Sequence, residues 1–127
     1  MSKRRNHRRQ VERINTALDL MEEQPVLKKM LAGVVAQYSM IPTDVLPKAR
    51  QPHVIDALHQ FYHQALTRTL ASSMLLGELT ARDHATVLHG SARWAVLHGL
   101  KVPRGATGWK YIGKLLTRDQ RGQANGT

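Results

Sequence analysis

Cysteine is absent from this chain of 127 residues. Disulfide bonds, thiolate metal sites and cysteine nucleophiles are therefore excluded. Long apolar runs are absent too, because no stretch approaches the roughly 18 consecutive apolar residues that a membrane-spanning helix needs. No apolar segment follows the basic N-terminal residues, so we expect neither a secretory signal nor a membrane as partner. Hydrophobic residues nevertheless make up 42% of the chain, which predicts a folded, cytoplasmic domain.

The positive charge lies at the two ends of the chain. Lysine and arginine exceed aspartate and glutamate by 19 − 9 = +10. Residues 1–10 hold five cations and no acid, residues 101–127 hold six cations and one acid, and residues 11–100 hold eight of each. Basic arms suit a polyanion, because each neutralised phosphate releases condensed counterions. We therefore favour a nucleic acid as partner over a solubilising tail or an anionic membrane surface.

The spacing of apolar residues predicts an all-α fold. It is helical nearly throughout the chain, and there is no β-alternating run or internal repeat. The predicted elements are a helix ending before Pro25, helices over 26–38, 53–70 and 72–79, one from about Asp83 to Gly99, and a last short one capped by Thr107. Residues 39–47 contain two prolines and form a connector, in which Thr43 could cap one short turn.

Each helix has a set of apolar residues that we expect to face inward. The first stripe either packs on the core or against a second copy of the chain, which leaves a homodimer open. The principal members are Val11, Ile14, Leu18 and Met21; Val26, Leu27, Met30, Leu31, Val34, Val35 and Tyr38; Val54, Ile55, Leu58, Phe61, Tyr62, Ala65 and Leu66; and Val87, Leu88, Trp94, Ala95 and Leu97.

The predicted organisation is a helical domain between two basic segments. Residues 1–10 form a basic N-terminal arm and residues 11–100 the helical domain. Residues 101–127 form a basic extension that we expect to be disordered after about residue 118.

Two consecutive predicted helices suggest a helix-turn-helix at about 72–98. A tight turn that contains glycine separates them, as in that motif. The second helix of such a motif lies in the major groove of DNA and meets base edges with its N-terminal residues. The candidate contacts are Arg82, Asp83, His84, Ala85, Thr86 and His89. The alternative is that Asp83 is only an N-cap and that the two histidines are surface residues.

The segment 82–89 resembles a known DNA-binding signature. It matches, at seven of eight positions, the Arg-Asp-His-Thr-Thr-Val-Leu-His sequence of the C-terminal DNA-binding domain (domain IV) of the bacterial replication initiator DnaA. The similarity covers roughly residues 27–98. Its upstream part includes Val35-Ala36-Gln37-Tyr38, Ile41, Asp44-Val45-Leu46, Lys48, Arg50 and Leu76-Gly77.

The resemblance implies a Trp-repressor-like helical fold that binds double-stranded DNA. It implies that Arg82 lies near the DNA backbone at the helix start, that Arg50 inserts into the minor groove, and that Lys48 contacts phosphate. The residues implied to face bases or adjacent phosphates are Asp83, His84, Thr86 and His89.

The chain also departs from that family. Ala85 replaces a threonine but keeps a methyl group for a thymine, and Thr80-Ala81 replaces a Gly-Gly pair. The basic loop is poorer in cations, with Ala49, Gln51, Pro52 and Asp56 at positions where the family has more of them. The arms could supply the missing phosphate contacts through Lys3, Arg4, Arg5, Arg8, Arg9, Lys110 and Lys114.

Other chemistry is poorly supported. The segment 108–114 has the G-x4-G-K spacing of a phosphate loop, but Leu115 stands where serine or threonine must bind Mg²⁺. His59 and His63, with His53 nearby, lack the ligands of a zinc site, so we interpret them as helix-surface or partly buried histidines. The serines, Ser72, Ser73 and Ser91, lie in no nucleophile elbow. We expect a non-enzyme without cofactor, metal or nucleotide.

The sequence thus predicts a small, nucleoid-associated regulator of transcription or replication of phage or mobile-element type. The alternative is a protein-interaction module that binds another protein or RNA through a repurposed helical domain and the basic arms.

Overall fold

Five α-helices and one 3-10 helix form the part of the chain that the computed structural model describes, residues 2–47, 51–103 and 105–106. The α-helices are α1 (Ser2–Glu23), α2 (Pro25–Ala36), α3 (Pro52–Arg68), α4 (Ser73–Leu79) and α5 (His84–Leu97), and the 3-10 helix spans Pro42–Val45. These ranges contain no strand, so the predicted all-α fold is confirmed.

The helix starts follow local chemistry. Proline stands at the first position of α2, α3 and the 3-10 helix, where its missing N–H and fixed φ are tolerated. Ser72 caps α4, since its Oγ accepts from the N–H of Leu75 at 3.1 Å. The predicted short turn is present, but its N-cap is Ile41 and not Thr43. The Asp44 carboxylate closes that turn by accepting from the N–H of Ile41 at 2.9 Å.

Helix α3 lies at the centre of the fold. It packs against α2, α4 and α5, while α1 packs against α2 and α4. The largest buried side chains come from α2, the connector, α3, α4 and α5: Leu31, Val34, Val35, Val45, Leu46, Phe61, Tyr62, Leu76, Leu79 and Val87. Because these elements are far apart in sequence, burial of their apolar faces against α3 is what joins them into one core.

Helix α1 is continuous through the segment predicted to be a separate arm, since it begins at Ser2. The predicted inward stripe is partly wrong, because Val11 and Leu18 remain 44% and 39% exposed. Met21 is buried as predicted, and Ala17 is buried with it. The buried face of α1 is thus the one that meets α2 and α4, and it differs from the predicted stripe.

Two further apolar residues predicted to face inward are exposed. Val26 in the first turn of α2 is 69% exposed, and Leu97 at the last position of α5 is 59% exposed. Both stand at helix ends, where helical spacing continues but no neighbouring element covers the side chain. Periodicity therefore predicted the faces of these helices but not the extent of their burial.

The segment after α5 folds back on it. Gly99 adopts a left-handed φ of +64°, and Val102 and Ala106 then pack with Leu88 and Ala92. The first residues of the predicted C-terminal extension therefore belong to the packed body. The predicted last helix, with Trp109, and the predicted disorder after about 118 lie outside the described residues. None of the helices described above is long and apolar enough to span a bilayer.

Candidate nucleic-acid interface

A tight turn joins α4 to α5. The N–H of Arg82 donates to the carbonyl of Gly77 at 2.8 Å, and the N–H of Ala81 donates to that of Glu78 at 3.4 Å. Ala81 has a left-handed φ of +56°. These features form a Schellman motif, which ends α4 and redirects the chain into α5. The left-handed residue, Ala81, belongs to the Thr80-Ala81 pair, which stands where the DnaA domain has two glycines.

Gly77 permits the close approach within this turn. A Cβ at that position would lie 2.6 Å from the carbonyl oxygen of Arg82, a distance that real side chains do not tolerate. Leu76-Gly77 was part of the resemblance, and the structure supplies a packing reason for glycine at the second position.

Two buried hydroxyl groups hold the turn against the central helix. The Tyr62 hydroxyl of α3 lies 2.7 Å from that of Thr80, and the Thr80 hydroxyl also donates to the carbonyl of Leu76 at 2.8 Å. Burial raises the pKa of Tyr62 to about 12. The phenol therefore stays neutral, and the turn is fixed to the core by satisfied polar groups.

The first residues of α5 face solvent. His84 and Thr86 are exposed, whereas Ala85 is half-buried. Asp83 occupies the N-cap position but makes no capping hydrogen bond. Its carboxylate instead forms an exposed ion pair with Arg13 of α1 at 3.5 Å. The structure therefore gives Asp83 the N-cap position but not the hydrogen bond by which an aspartate normally caps.

Arg82 is bound to the protein itself. Its guanidinium donates to the carbonyls of Val45 at 2.9 Å, Thr80 at 2.6 Å and Pro47 at 3.2 Å. Burial lowers its pKa from the ordinary value, although arginine remains charged. The three carbonyls compensate for the lost hydration of the charge. The DNA contact of Arg82 stays a prediction.

His89 lies farther along α5 and is half-buried. Burial, together with the charge of Arg93, lowers its pKa. Both factors favour the neutral imidazole, which presents one donor and one acceptor. Behind it, the ring of His59 from α3 packs against the backbone of Gly90. Burial and the charges of Arg93 and His89 lower the pKa of His59 to about 4.

A cleft of about 450 Å³ separates α1 from α4 and the start of α5. Arg9 and Arg13 line it on the α1 side, and Arg82, Asp83 and His84 line it on the other. Arg9 and Arg13 are one helical turn apart, so they lie on the same side of α1. Arg9 and Arg13 of α1 thus lie beside the start of α5.

Sequence reasoning missed two cations near this surface. Arg13 pairs with Asp83 from 70 positions away, and no local pattern connects them. Arg93 is exposed and follows His89 by one helical turn. The i, i+3, i+7 spacing of Thr86, His89 and Arg93 is the signal that could have identified it.

The structure brings together only part of the predicted interface. Arg82, Asp83, His84, Ala85, Thr86 and His89 share the start of α5, and Arg9 is exposed nearby. Lys48, Arg50, Lys110 and Lys114 lie outside the described residues. The structure describes the side chains of α1 from Arg9 onward. It describes only the helical backbone at Lys3, Arg4, Arg5 and Arg8.

Two of the three histidines of α3 have structural contacts, whereas His53 is exposed. His59 packs on Gly90, and His63 Nε2 lies 3.1 Å from the carbonyl oxygen of Lys101. Within the described part of the chain, no three histidine, aspartate or glutamate residues lie where they could hold a metal ion.

Comparisons with known proteins identify no relative. No family model matches the chain, and neither a curated protein nor a solved structure matches it. The similarity to DnaA domain IV therefore stays a prediction that depends on the residues quoted for it.

Proposed function

We propose that this protein binds double-stranded DNA sequence-specifically, in the manner of DnaA domain IV, and acts as a small regulator of transcription or replication. The observation that carries the proposal is the exposed start of α5, where Asp83, His84 and Thr86 reach solvent after a tight turn from α4. A helix-turn-helix reads bases with these positions of its second helix.

The side chains at the start of α5 suit the major groove. A carboxylate such as Asp83 can accept from the amino group of cytosine, and the Thr86 hydroxyl can donate or accept. The methyl group of Ala85 can contact the methyl group of a thymine. A helix built from these residues discriminates among base pairs by about 1–3 kcal/mol for each well-placed contact.

Phosphate contacts come from cations around α5. Arg9 and Arg13 line the cleft beside its first residues, and Arg93 is exposed further along it. The cations predicted in the two basic arms add to these phosphate contacts. Such contacts set overall affinity and its salt dependence but not sequence preference.

The second candidate function is a protein-interaction module. Exposed apolar side chains favour it, since Leu70 is fully exposed and Met74 in the first turn of α4 is 63% exposed. Exposed apolar groups that form one contiguous patch are typical of protein contacts. In this alternative the basic arms bind RNA or an acidic partner, and α5 has no role in reading bases.

A binding titration at two salt concentrations tests the proposal. The two probes are a duplex with a DnaA-type box and a scrambled duplex of the same composition. We expect a preference of about tenfold, or 1.4 kcal/mol, that survives the higher salt. Equal affinities that both fall steeply with salt would show phosphate binding alone. A random-sequence selection would then show whether the protein prefers another DNA site. If the selection enriched no sequence and a protein partner were captured, the interaction module would be favoured.

Matched variants connect any preference to α5. His84→Ala should lower affinity for the preferred duplex more than for the scrambled one. His98→Ala, which removes an exposed histidine from the other end of the same helix, is the control and should leave the ratio unchanged. If His84→Ala left the ratio of affinities for the two duplexes unchanged, α5 would not be the helix that reads bases.

A further inference from the structure

Arg82 makes three side-chain hydrogen bonds that reach two separate parts of the chain. It stands between α4 and α5, yet two of its three acceptors belong to the connector that follows α2, 35 and 37 positions earlier in the chain. Its third acceptor, Thr80, belongs to the turn itself. One side chain therefore joins the connector, the turn and the start of α5.

The geometry of these bonds requires a guanidinium. One Nη atom donates to the carbonyls of Val45 and Thr80, and the other donates to that of Pro47. Planar guanidinium carries its donors in a fixed fork, whereas a lysine ammonium is a point charge on a flexible stem. Three acceptors held at once thus fix the connector, which supplies two of them, relative to the turn, which supplies the third.

The connector is the part of the chain that needs such a contact. Pro47 directly precedes residues 48–50, which include Lys48 and Arg50 of the proposed interface. Pro47 is exposed, and its carbonyl is held by Arg82 from the residue that immediately precedes Asp83. The entry to the basic loop and the start of α5 are thereby set at one fixed separation.

We infer that Arg82 is a positioning residue, which fixes the connector that ends at Pro47 against the start of α5 and does not itself read DNA. The inference rests on the proposed function for its effect on DNA, but the contact exists in the protein alone. Three of the five guanidinium donors are directed at protein carbonyls. A phosphate could reach only those that remain.

Two replacements of Arg82 in the full-length chain distinguish a positioning role from a direct contact of its charge with phosphate. Arg82→Lys keeps the charge but loses the fork, and Arg82→Gln keeps one amide group but loses the charge. A positioning role predicts that both lower the ratio of affinities for preferred and scrambled duplex by about tenfold. A direct phosphate contact predicts that the lysine variant binds nearly as the parent and that only the glutamine variant weakens.

A double-mutant cycle with Arg50→Ala tests the alignment. If Arg82 acts through the loop, the double variant should bind the preferred duplex only slightly more weakly than Arg82→Lys alone. Additive losses would overturn the inference. Tyr62→Phe is the stability control, because it loosens the same turn through Thr80 and leaves the two connector acceptors of Arg82, Val45 and Pro47, in place. It should keep the affinity ratio of the parent.

Amide hydrogen exchange without DNA gives a reading independent of the proposed function. In Arg82→Lys and Arg82→Gln, the hydrogen-bonded amides of Asp44 and Leu46 in the connector should exchange about tenfold faster, while those of α2 keep their rates. Tyr62→Phe should not produce this local change. Unchanged exchange in both Arg82 variants would overturn the positioning role even if the protein binds DNA. If the parent shows no duplex preference but exchange is faster in the Arg82 variants, the positioning role stands and only the DNA function is rejected.

Discussion

Gly77 and Arg82 touch twice across the turn between α4 and α5. The Arg82 N–H donates to the Gly77 carbonyl at 2.8 Å, and the Arg82 carbonyl oxygen occupies the space that a Cβ of residue 77 would need. The position of α5 relative to α4 therefore depends on the absence of one side chain.

Gly77→Ala should destabilise the protein by about 2 kcal/mol or more, because its Cβ would meet backbone that can move only by opening the turn. Gly33→Ala is the matched control, since no atom lies within 4 Å of a Cβ built at that position of α2. It should stabilise by about 0.5–1 kcal/mol through helix propensity. Urea denaturation measures both, and equal effects would contradict the close approach.

Ala81→Gly should stabilise the protein. Ala81 has a φ of +56°, and a left-handed conformation costs a residue with a Cβ about 1–2 kcal/mol. Glycine removes that strain but gains freedom in the unfolded chain, so we expect a net gain of about 0.5–1 kcal/mol. Ala32→Gly within α2 should instead lose about 1 kcal/mol. Thermal unfolding of the two variants measures this opposite response, and a loss at both positions would contradict it.

His59 should make stability fall in mild acid. Its folded-state pKa of about 4 lies below the ordinary 6.5, so the unfolded chain binds the proton more readily. The free energy of unfolding is therefore highest above pH 6.5 and decreases as the pH falls toward 4, with a contribution on the order of 2 kcal/mol.

Unfolding of His59→Gln across this pH range checks that assignment. The variant should show a flatter pH dependence between about 6.5 and 4 than the parent. His53→Gln replaces an exposed histidine of the same helix and should keep the parent slope. Parallel curves for the parent and His59→Gln would exclude His59 as the source.

The basic end of α1 should control salt dependence. In the double variant Arg5→Gln/Arg8→Gln, the slope of log affinity against log salt should become shallower by about one to two, since each lost phosphate contact contributes about 0.9. The preference for one duplex should change little, because phosphates carry no base identity. Lys29→Gln/Arg68→Gln removes two exposed cations from the α2–α3 side. An equal change in slope there would show that only total charge matters.

Much of the local structure was predictable. Apolar spacing identified the helices from α1 to α5, and Pro25 marked the boundary between the first two. Such signals are local, because helical hydrogen bonds and caps join residues three or four apart. The candidate residues at the start of α5 were predictable for the same reason, since they are consecutive in the chain.

The side of α1 that packs was not predictable from periodicity. Its apolar residues allow a stripe through Val11 and Leu18, but contact with α2 and α4 buries Ala17 and Met21. The small side chain of Ala17 carries little hydrophobic signal, yet it permits close approach of the neighbouring helices.

The sequence alone determined that this chain is helical and, within a few residues, where four of its five α-helices begin. Tertiary structure decided what those residues touch. Arg82 in sequence is one more cation of a DNA-binding signature, and in the fold it binds carbonyls of Val45 and Pro47. The physical reason is separation along the chain: contacts between residues 35–37 positions apart leave no periodic trace and exist only when α3 has brought the connector and the turn together.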